Sequence, residues 1–418
     1  MSPEVIHISV LGPIGFVAIG SMVVLLGEVL LSRSGSFLGR EVDTRFIGSF
    51  LALVAGASLL LSLGLACQWF VSGASLAFNP SNPLIQLDGF SALITGLLAL
   101  AALLSCALAY HYLDQLGINH GEYYALVLLA TAGMMLMVSA VDFLAVFVGL
   151  ELMSIPIYVL AGFDRRKLRS NESAMKYFLI GSFASALLLY GVALLYGATG
   201  STSFAALRMG FDGDSALAVI GVGLVIVGFA FKISSVPFHQ WTPDVYEGAP
   251  AAVTAFMSVT VKAAAVAALL RVVGLAFGPL DDALTNVVWV LAALTMVVGN
   301  LMAVIQDNVK RLLAYSSIAH AGYLLVGFVA GTPGGYAAVV FYLIAYTFMN
   351  LGAFAIVVTL AQRGRDCERI ASFAGLARSR PGLAALMTLF MLSLTGIPPT
   401  VGFFAKFSLF SAAVNAGF

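Results

Sequence analysis

Apolar residues run in blocks of about 20 along almost the whole chain, the length of a helix that crosses a ~30 Å hydrocarbon layer. Twelve blocks are read, at roughly 10–31, 46–70, 90–112, 122–140, 143–162, 175–197, 215–245, 249–273, 284–305, 312–330, 336–361 and 382–418. Short segments of strict apolar/polar alternation, the mark of a membrane β-barrel, are not seen. Blocks seven and twelve are longer than one crossing needs, and each contains a breaker. In 228-GFAFKISSVPFHQWTPDVYEGAP-250, Pro237 follows Lys232 by five residues; in 395-TGIPPT-400 two prolines adjoin. Proline has no N–H and clashes with the preceding turn, so both blocks predict discontinuous helices. Pro156 marks a third expected break, in block five.

Composition narrows the class. The 418 residues are 61% hydrophobic and 10% charged, with a mean hydropathy of +1.02. Soluble domains carry about 25% charged residues, so the reading is an all-α polytopic membrane protein with the lipid bilayer as its solvent. Net charge is zero, which gives no footprint for nucleic acid. Cys67, Cys106 and Cys367 lie far apart with no C-x-x-C, so no iron–sulfur or zinc framework is visible. G-x-G-x-x-G and Walker A motifs are absent from the sequence. The N-terminus lacks a basic leader and a small-residue cleavage site, so block one reads as a retained span.

Basic residues set the orientation. Arg33, Arg40 and Arg45 fall in loop one; Arg165, Arg166, Lys167 and Arg169 in loop five; Lys310 and Arg311 in loop nine; Arg363, Arg365, Arg369, Arg378 and Arg380 in loop eleven. Even-numbered loops carry only Arg208 and Arg271. Odd loops are therefore expected in the cytoplasm and the N-terminus outside, while loops three and seven carry no Lys or Arg.

The candidate chemistry lies in what remains. Half of the six lysines, Lys232, Lys262 and Lys406, are inside apolar blocks, and Glu151 is the acid most clearly central in a block. A charge at mid-bilayer costs several kcal/mol, about +2.5–3.5 on the insertion scale. One reading is a buried Glu151–lysine pair that fixes register, but such pairs stabilise weakly and two lysines are left over. The sharper reading is a proton relay, because lysine changes protonation readily when desolvated and a nearby carboxylate favours the charged form. Glu151 and Lys232 are then expected within salt-bridge range, directly or through one water. His320 either relays protons or donates to a carbonyl; His239, after Pro237, is a candidate for an entry path. Ser234, Ser235, Ser316, Ser317 and Asn350 read equally as interhelical bonds or water ligands. Glu28 and Asp142, near span ends, read as solvated, and Glu172 with Lys176 as a helix-surface pair. Broken helices five apart, each with one lysine, predict inverted five-helix repeats of helices 4–8 and 9–13, a transporter pattern.

The segments 150-LELMSIPIYVL-160, 172-ESAMKYFLIGSFASALLLYGVALLYGATGS-201, 231-FKISSVPFHQWTPDVYEGAP-250, 308-NVKRLLAYSSIAHAGY-323 and 396-GIPPTVGFFAKF-407 resemble the subunit N family of bacterial NADH–quinone oxidoreductase, respiratory complex I, relatives of mitochondrial subunit 2. The resemblance runs from about residue 90 to the end. It implies an antiporter-like bundle with discontinuous helices 7 and 12, and puts the family's relay residues on Glu151, Lys232, Lys262 and Lys406. The family often has proline where Val261 stands, and helices thirteen and fourteen are expected beyond Phe418. The implied division is a three-helix segment at 1–121, a first repeat at 122–273 and a second at 284–418. The implied function is proton translocation coupled to quinone reduction in partner subunits. Those partners are other membrane and peripheral subunits, including neighbouring antiporter-like ones, in a bacterial inner membrane. FMN, iron–sulfur clusters and quinone are expected in the partners, and no cofactor or metal in this chain. The competing readings are a subunit of a multi-subunit sodium/proton antiporter and an assembly scaffold.

Overall fold

The computed structural model describes residues 6–34, 36–37, 40–41, 44–210, 215–277, 282–361 and 368–418. Sixteen α-helices follow in order: α1 (Gly12–Ser34), α2 (Thr44–Ser72), α3 (Gly89–Leu116), α4 (Gly121–Ser139), α5 (Phe143–Ala161), α6 (Leu168–Thr199), α7 (Phe204–Gly210), α8 (Ala216–Ile233), α9 (Trp241–Gly248), α10 (Ala251–Val272), α11 (Asp282–Val304), α12 (Val309–Ala330), α13 (Pro333–Leu360), α14 (Leu376–Ser379), α15 (Pro381–Thr395) and α16 (Val401–Asn415). Eleven helices among the described residues are long and apolar enough to cross a membrane. The half-length α15 and α16 together make a twelfth crossing, so the chain is a multi-pass, all-helical bundle.

Block seven is interrupted, into α8 and α9, and block twelve into α15 and α16. Block five is not: α5 runs unbroken through Pro156. Its proline removes a single backbone bond, and the helix packs closely along α4. Gly133 and Gly149 bring those two backbones together, since a Cβ on Gly149 would lie 2.9 Å from Gly133 O and 2.6 Å from Met137 N. α10 likewise runs unbroken past Val261 and Lys262, with every residue of it buried. It is the central pillar of the bundle, touching α3, α4, α8 and α13.

The pairings repeat along the chain. α4 packs on α5 as α11 packs on α12; α6 flanks both halves of the first broken helix as α13 flanks both halves of the second. The uncharged loops also acquire a side. Arg166 donates to Leu116 O at 2.9 Å and Lys310 to Ala249 O at 2.7 Å, so loops three and seven lie with loops five and nine. Val309 N–H to Glu368 O at 2.7 Å adds loop eleven to that end. At the opposite end Arg271 forks onto Asp88, at 3.1 and 2.8 Å, and donates to Ala140 O at 2.9 Å. The side chains of Arg33, Arg40 and Arg45, and residues Arg363, Arg365 and Cys367, lie outside the described residues.

Two acids depart from expectation. Asp142 is buried; it caps α5 by accepting from Leu144 N–H at 2.7 Å and takes the Thr202 hydroxyl at 2.8 Å. Glu28 is half-buried and accepts from Gly121 N–H at 3.1 Å, at the start of α4. Both accept from N–H groups at helix starts, which have no partner within their own helix.

Candidate functional site: three intramembrane lysines between two broken helices

Both first half-helices stop by the same device. Ser234 takes a left-handed φ of 65°, with Ser235 N–H returned to Ala230 O at 2.8 Å and Ser234 N–H to Phe231 O at 3.1 Å. Gly396 takes φ 86°, with Ile397 N–H to Leu392 O at 3.1 Å and Gly396 N–H to Ser393 O at 3.0 Å. Paired 6→1 and 5→2 bonds around a left-handed residue satisfy carbonyls that a helix end leaves open. The peptide bonds before Pro237 and Pro399 are both cis. Ser234 and Gly396, like Pro237 and Pro399, stand 162 positions apart, so the two breaks share one register. In that register Lys232 matches Leu394, and Lys406 matches Asp244. The two lysines thus flank their breaks from opposite sides.

Lys232, in the last turn of α8, is buried. Its ammonium donates to the Ser154 hydroxyl at 2.7 Å, lies 3.5 Å from Tyr158 Oη, and faces the rings of Tyr158 and Tyr177 at 5.4 and 5.7 Å. The expected direct pair is absent: among the described residues no ion pair joins Lys232 to Glu151. Glu151 lies three residues before Ser154, on the same face of α5. It is half-buried, and among the described residues its Oε1 has no hydrogen-bond partner. Ser154 is thus the α5 residue that meets Lys232, its own hydroxyl donating to Leu150 O.

Lys262, mid-way along α10, bonds both the carbonyl and the hydroxyl oxygen of Ser317 on α12. The same hydroxyl accepts from Tyr346 Oη at 2.9 Å. One turn further along α12, His320 is buried with Nδ1 2.5 Å from Tyr342 Oη. Its ring stands 5.6 Å from that of Tyr323, and the Tyr323 ring faces the Lys406 ammonium at 4.5 Å. Ser317, His320 and Tyr323 repeat at three-residue spacing and so share one face of α12. Lys406, half-buried on α16, donates to Leu394 O and Thr395 O, both at 2.9 Å. These are the last carbonyls of α15, where the helix dipole favours a cation.

Lys262, His320 and Lys406 thus form one line, and Lys232 with Glu151 a second cluster beside α5. His239 belongs to neither: it sits in the turn between α8 and α9, half-buried, with Nδ1 unpartnered. The serines mostly bind helix to helix, Ser234 with Thr242 at 2.7 Å, Ser235 with Thr295 at 2.9 Å, and Ser258 with Asn350 at 2.8 Å. Sequence reading missed Ser154, Tyr158, Tyr342 and Tyr346 as partners; the three-residue step from Glu151 to Ser154 was the one available signal. Lys176 pairs with Glu172 at 2.7 Å as expected, and also with Asp244 at 3.0 Å. Among the described residues no group of three or more His, Cys, Asp or Glu is placed to hold a metal ion.

Comparison with known proteins adds independent findings. The family described as NADH:quinone oxidoreductase/Mrp antiporter, TM, matches residues 140–418. NADH-quinone oxidoreductase subunit N of Trichlorobacter lovleyi is 44% identical over 421 residues, covering 99% of this chain and 83% of that protein. The corresponding subunit N 1 of Chloroherpeton thalassium is 45% identical over 353 residues, covering 82% and 74%. Among solved structures, a chain of respiratory complex I from Thermus thermophilus matches with TM-score 0.78 at 37% identity, over 96% of this chain and 83% of that one. A chain of the Mrp complex from Dietzia matches with TM-score 0.84 at 28% identity, over 98% and 75%. Backbone likeness does not separate the two kinds of complex; sequence identity favours the first.

Proposed function

The chain belongs to the NADH–quinone oxidoreductase subunit N family, and from that membership we propose that it is a proton-translocating membrane subunit of such an enzyme. Protons would pass along Glu151, Lys232, Lys262, His320 and Lys406, driven by quinone reduction in partner subunits that hold FMN, iron–sulfur clusters and the quinone. The observation that carries this reading is the kind of partner the three lysines have. Each is bonded to hydroxyl or carbonyl oxygens, and among the described residues none has a carboxylate within ion-pair distance. A carboxylate would hold the proton in place. A neutral amine keeps two N–H donors, so the same oxygens can accept from Lys232 and Lys262 in either protonation state.

The repeats would run 122–273 and 284–418 behind a three-helix segment at 1–121. The end that gathers loops three, five, seven, nine and eleven is assigned to the cytoplasm by its basic residues, with the N-terminus on the periplasmic face of a bacterial inner membrane. The likeness to the Mrp chain favours a second reading, a sodium/proton antiporter subunit. His239 is assigned to the cytoplasmic entry.

The test is proton uptake by inverted membranes carrying assembled Lys232→Ala or Lys232→Arg enzyme, with NADH oxidation followed in parallel. Both variants are expected to pump far below the parental rate, arginine because guanidinium keeps its proton. Parental pumping by either variant would remove Lys232 from the path. Sodium uptake without NADH would favour the antiporter.

A further inference from the structure

The short second half of the first broken helix, α9, is held on two sides by charge. On one side stand Arg169 and Lys176 of α6; on the other, Lys310 and Arg311 of α12. Asp244 accepts from Lys176 on Oδ2 at 3.0 Å and from Arg311 on Oδ1 at 2.8 Å. Glu247, one turn on, pairs with Arg311 at 3.0 Å and with Arg169 at 3.7 Å. Lys310 donates to Glu247 O at 2.7 Å and is paired with Glu368 at 2.9 Å. Ser173 of α6 also donates to Asp244 O at 3.2 Å. Among the described residues, the ion pairs that cross from the α4–α10 half to the α11–α16 half are the two made by Arg311.

From this arrangement we propose that Asp244 is a positioning residue that couples the two halves of the bundle, by tying α9 to α12 through Arg311 while Lys176 ties it to α6. The consequence follows the helices. Trp241, at the start of α9, donates Nε1–H to Phe231 O at 3.2 Å, in the turn that carries Lys232. Arg311 lies six residues before Ser317 and nine before His320 on α12, so a shift of α9 reaches Lys232 by one route and the Lys262 line by the other. In the shared register of the breaks, Asp244 takes the position that Lys406 holds in the second half; the acid there faces two cations in place of carbonyls. The Asp244 carboxyl is flanked by two cations, Arg311 at 2.8 Å and Lys176 at 3.0 Å, which favour its charged form. The cluster is also only part-buried. The side chains of Asp244, Lys176 and Arg311 keep 37%, 40% and 30% of their exposure, beside a crevice of about 190 Å³ between α6 and α9. Side chains this exposed can exchange partners, so the tie can shift in a way that a fully buried pair cannot.

The inference rests on the proton-relay reading, and the assay separates the two. Assembled complexes carrying Asp244→Asn, Asp244→Glu, Arg311→Gln and the Asn/Gln double variant are reconstituted in vesicles, and protons moved per NADH oxidised are measured beside Lys232→Arg. Asp244→Asn and Arg311→Gln are expected to lower that ratio about two- to thirtyfold, the span that residues on a coupling network show. NADH oxidation by a water-soluble acceptor stays at the parental rate, Asp244→Glu restores the ratio, and the double variant is no worse than either single one. If Asp244→Asn does not assemble, Arg311→Gln carries the test, because it leaves Asp244 paired with Lys176. A parental ratio in the neutral variants, equal damage from Asp244→Glu, or additive losses in the double variant would overturn the coupling role. Normal pumping by Lys232→Arg would instead reject the relay.

Discussion

Lys406 bonds the carbonyl oxygen of Leu394 at 2.9 Å, and Leu394 is the residue that matches Lys232 in the shared register of the two broken helices. The second half of the bundle thus brings an ammonium to the place where the first half carries its lysine, but from across the break. The cation also closes the end of α15. Two variants separate these jobs. Lys406→Met keeps the stem and loses the donors, so amide hydrogen exchange at 395–400 should rise and pumping should fall. Lys406→Arg keeps the donors, so exchange should stay parental while pumping still falls. Equal exchange in Met and parental enzyme would show that the cap is dispensable.

Ser154 should matter as much as a charged residue. A hydrogen bond to a charged group contributes about 1.5–3 kcal/mol, so Ser154→Ala is expected to slow proton translocation about tenfold or more. Ser154→Thr retains the hydroxyl and should recover most of the rate. Initial rates of vesicle acidification measure both, and a normal rate in Ser154→Ala would mean that Lys232 does not depend on this bond.

The α4–α5 contact should tolerate no side chain. The Cβ of Gly149→Ala would meet backbone atoms of Met137 and Gly133, which cannot rotate away. Overpacking of this kind costs about 1–3 kcal/mol, so the variant should melt earlier in detergent and accumulate less. Gly64→Ala, where nothing lies within 4 Å, is the matched control and should behave as the parent does.

The Asp88–Arg271 fork should make stability depend on pH in the acid range. Burial pushes the Asp88 carboxyl up, but hydrogen bonding and charge from Arg271 outweigh it, leaving it below the ordinary 3.8. A depressed folded value contributes stability above the unfolded pKa and loses it as pH falls through the folded one. Parental protein should therefore exceed Asp88→Asn in melting temperature at pH 6, and the gap should shrink below about pH 4. A gap constant from pH 6 to 3 would assign the effect to shape and not to charge.

The sequence alone determined the features whose chemistry is local. A proline ends a helix wherever it adds an unmet carbonyl that neighbours do not cover, so Pro237 and 396-GIPPT-400 marked the breaks. A lysine in an apolar run is costly in any fold, so Lys232, Lys262 and Lys406 stood out before any contact was known. The antiporter-like architecture was legible through the resemblance of the long motifs to a known family, and not through local chemistry. What only the tertiary structure decided is which groups meet. Pro156 breaks nothing, because α4 packs tightly along α5. Lys232 rests on Ser154 and not on Glu151, a choice between two residues on one face of α5 that only the packing makes. Glu28 serves the start of α4, 93 residues on, and Asp142 joins its own helix start to Thr202. Loops three and seven carry no charge to orient them, yet Arg166 and Lys310 hold them to the basic end. Residue type sets what a group costs inside a membrane; only the packing of helices sets the partner that offsets that cost.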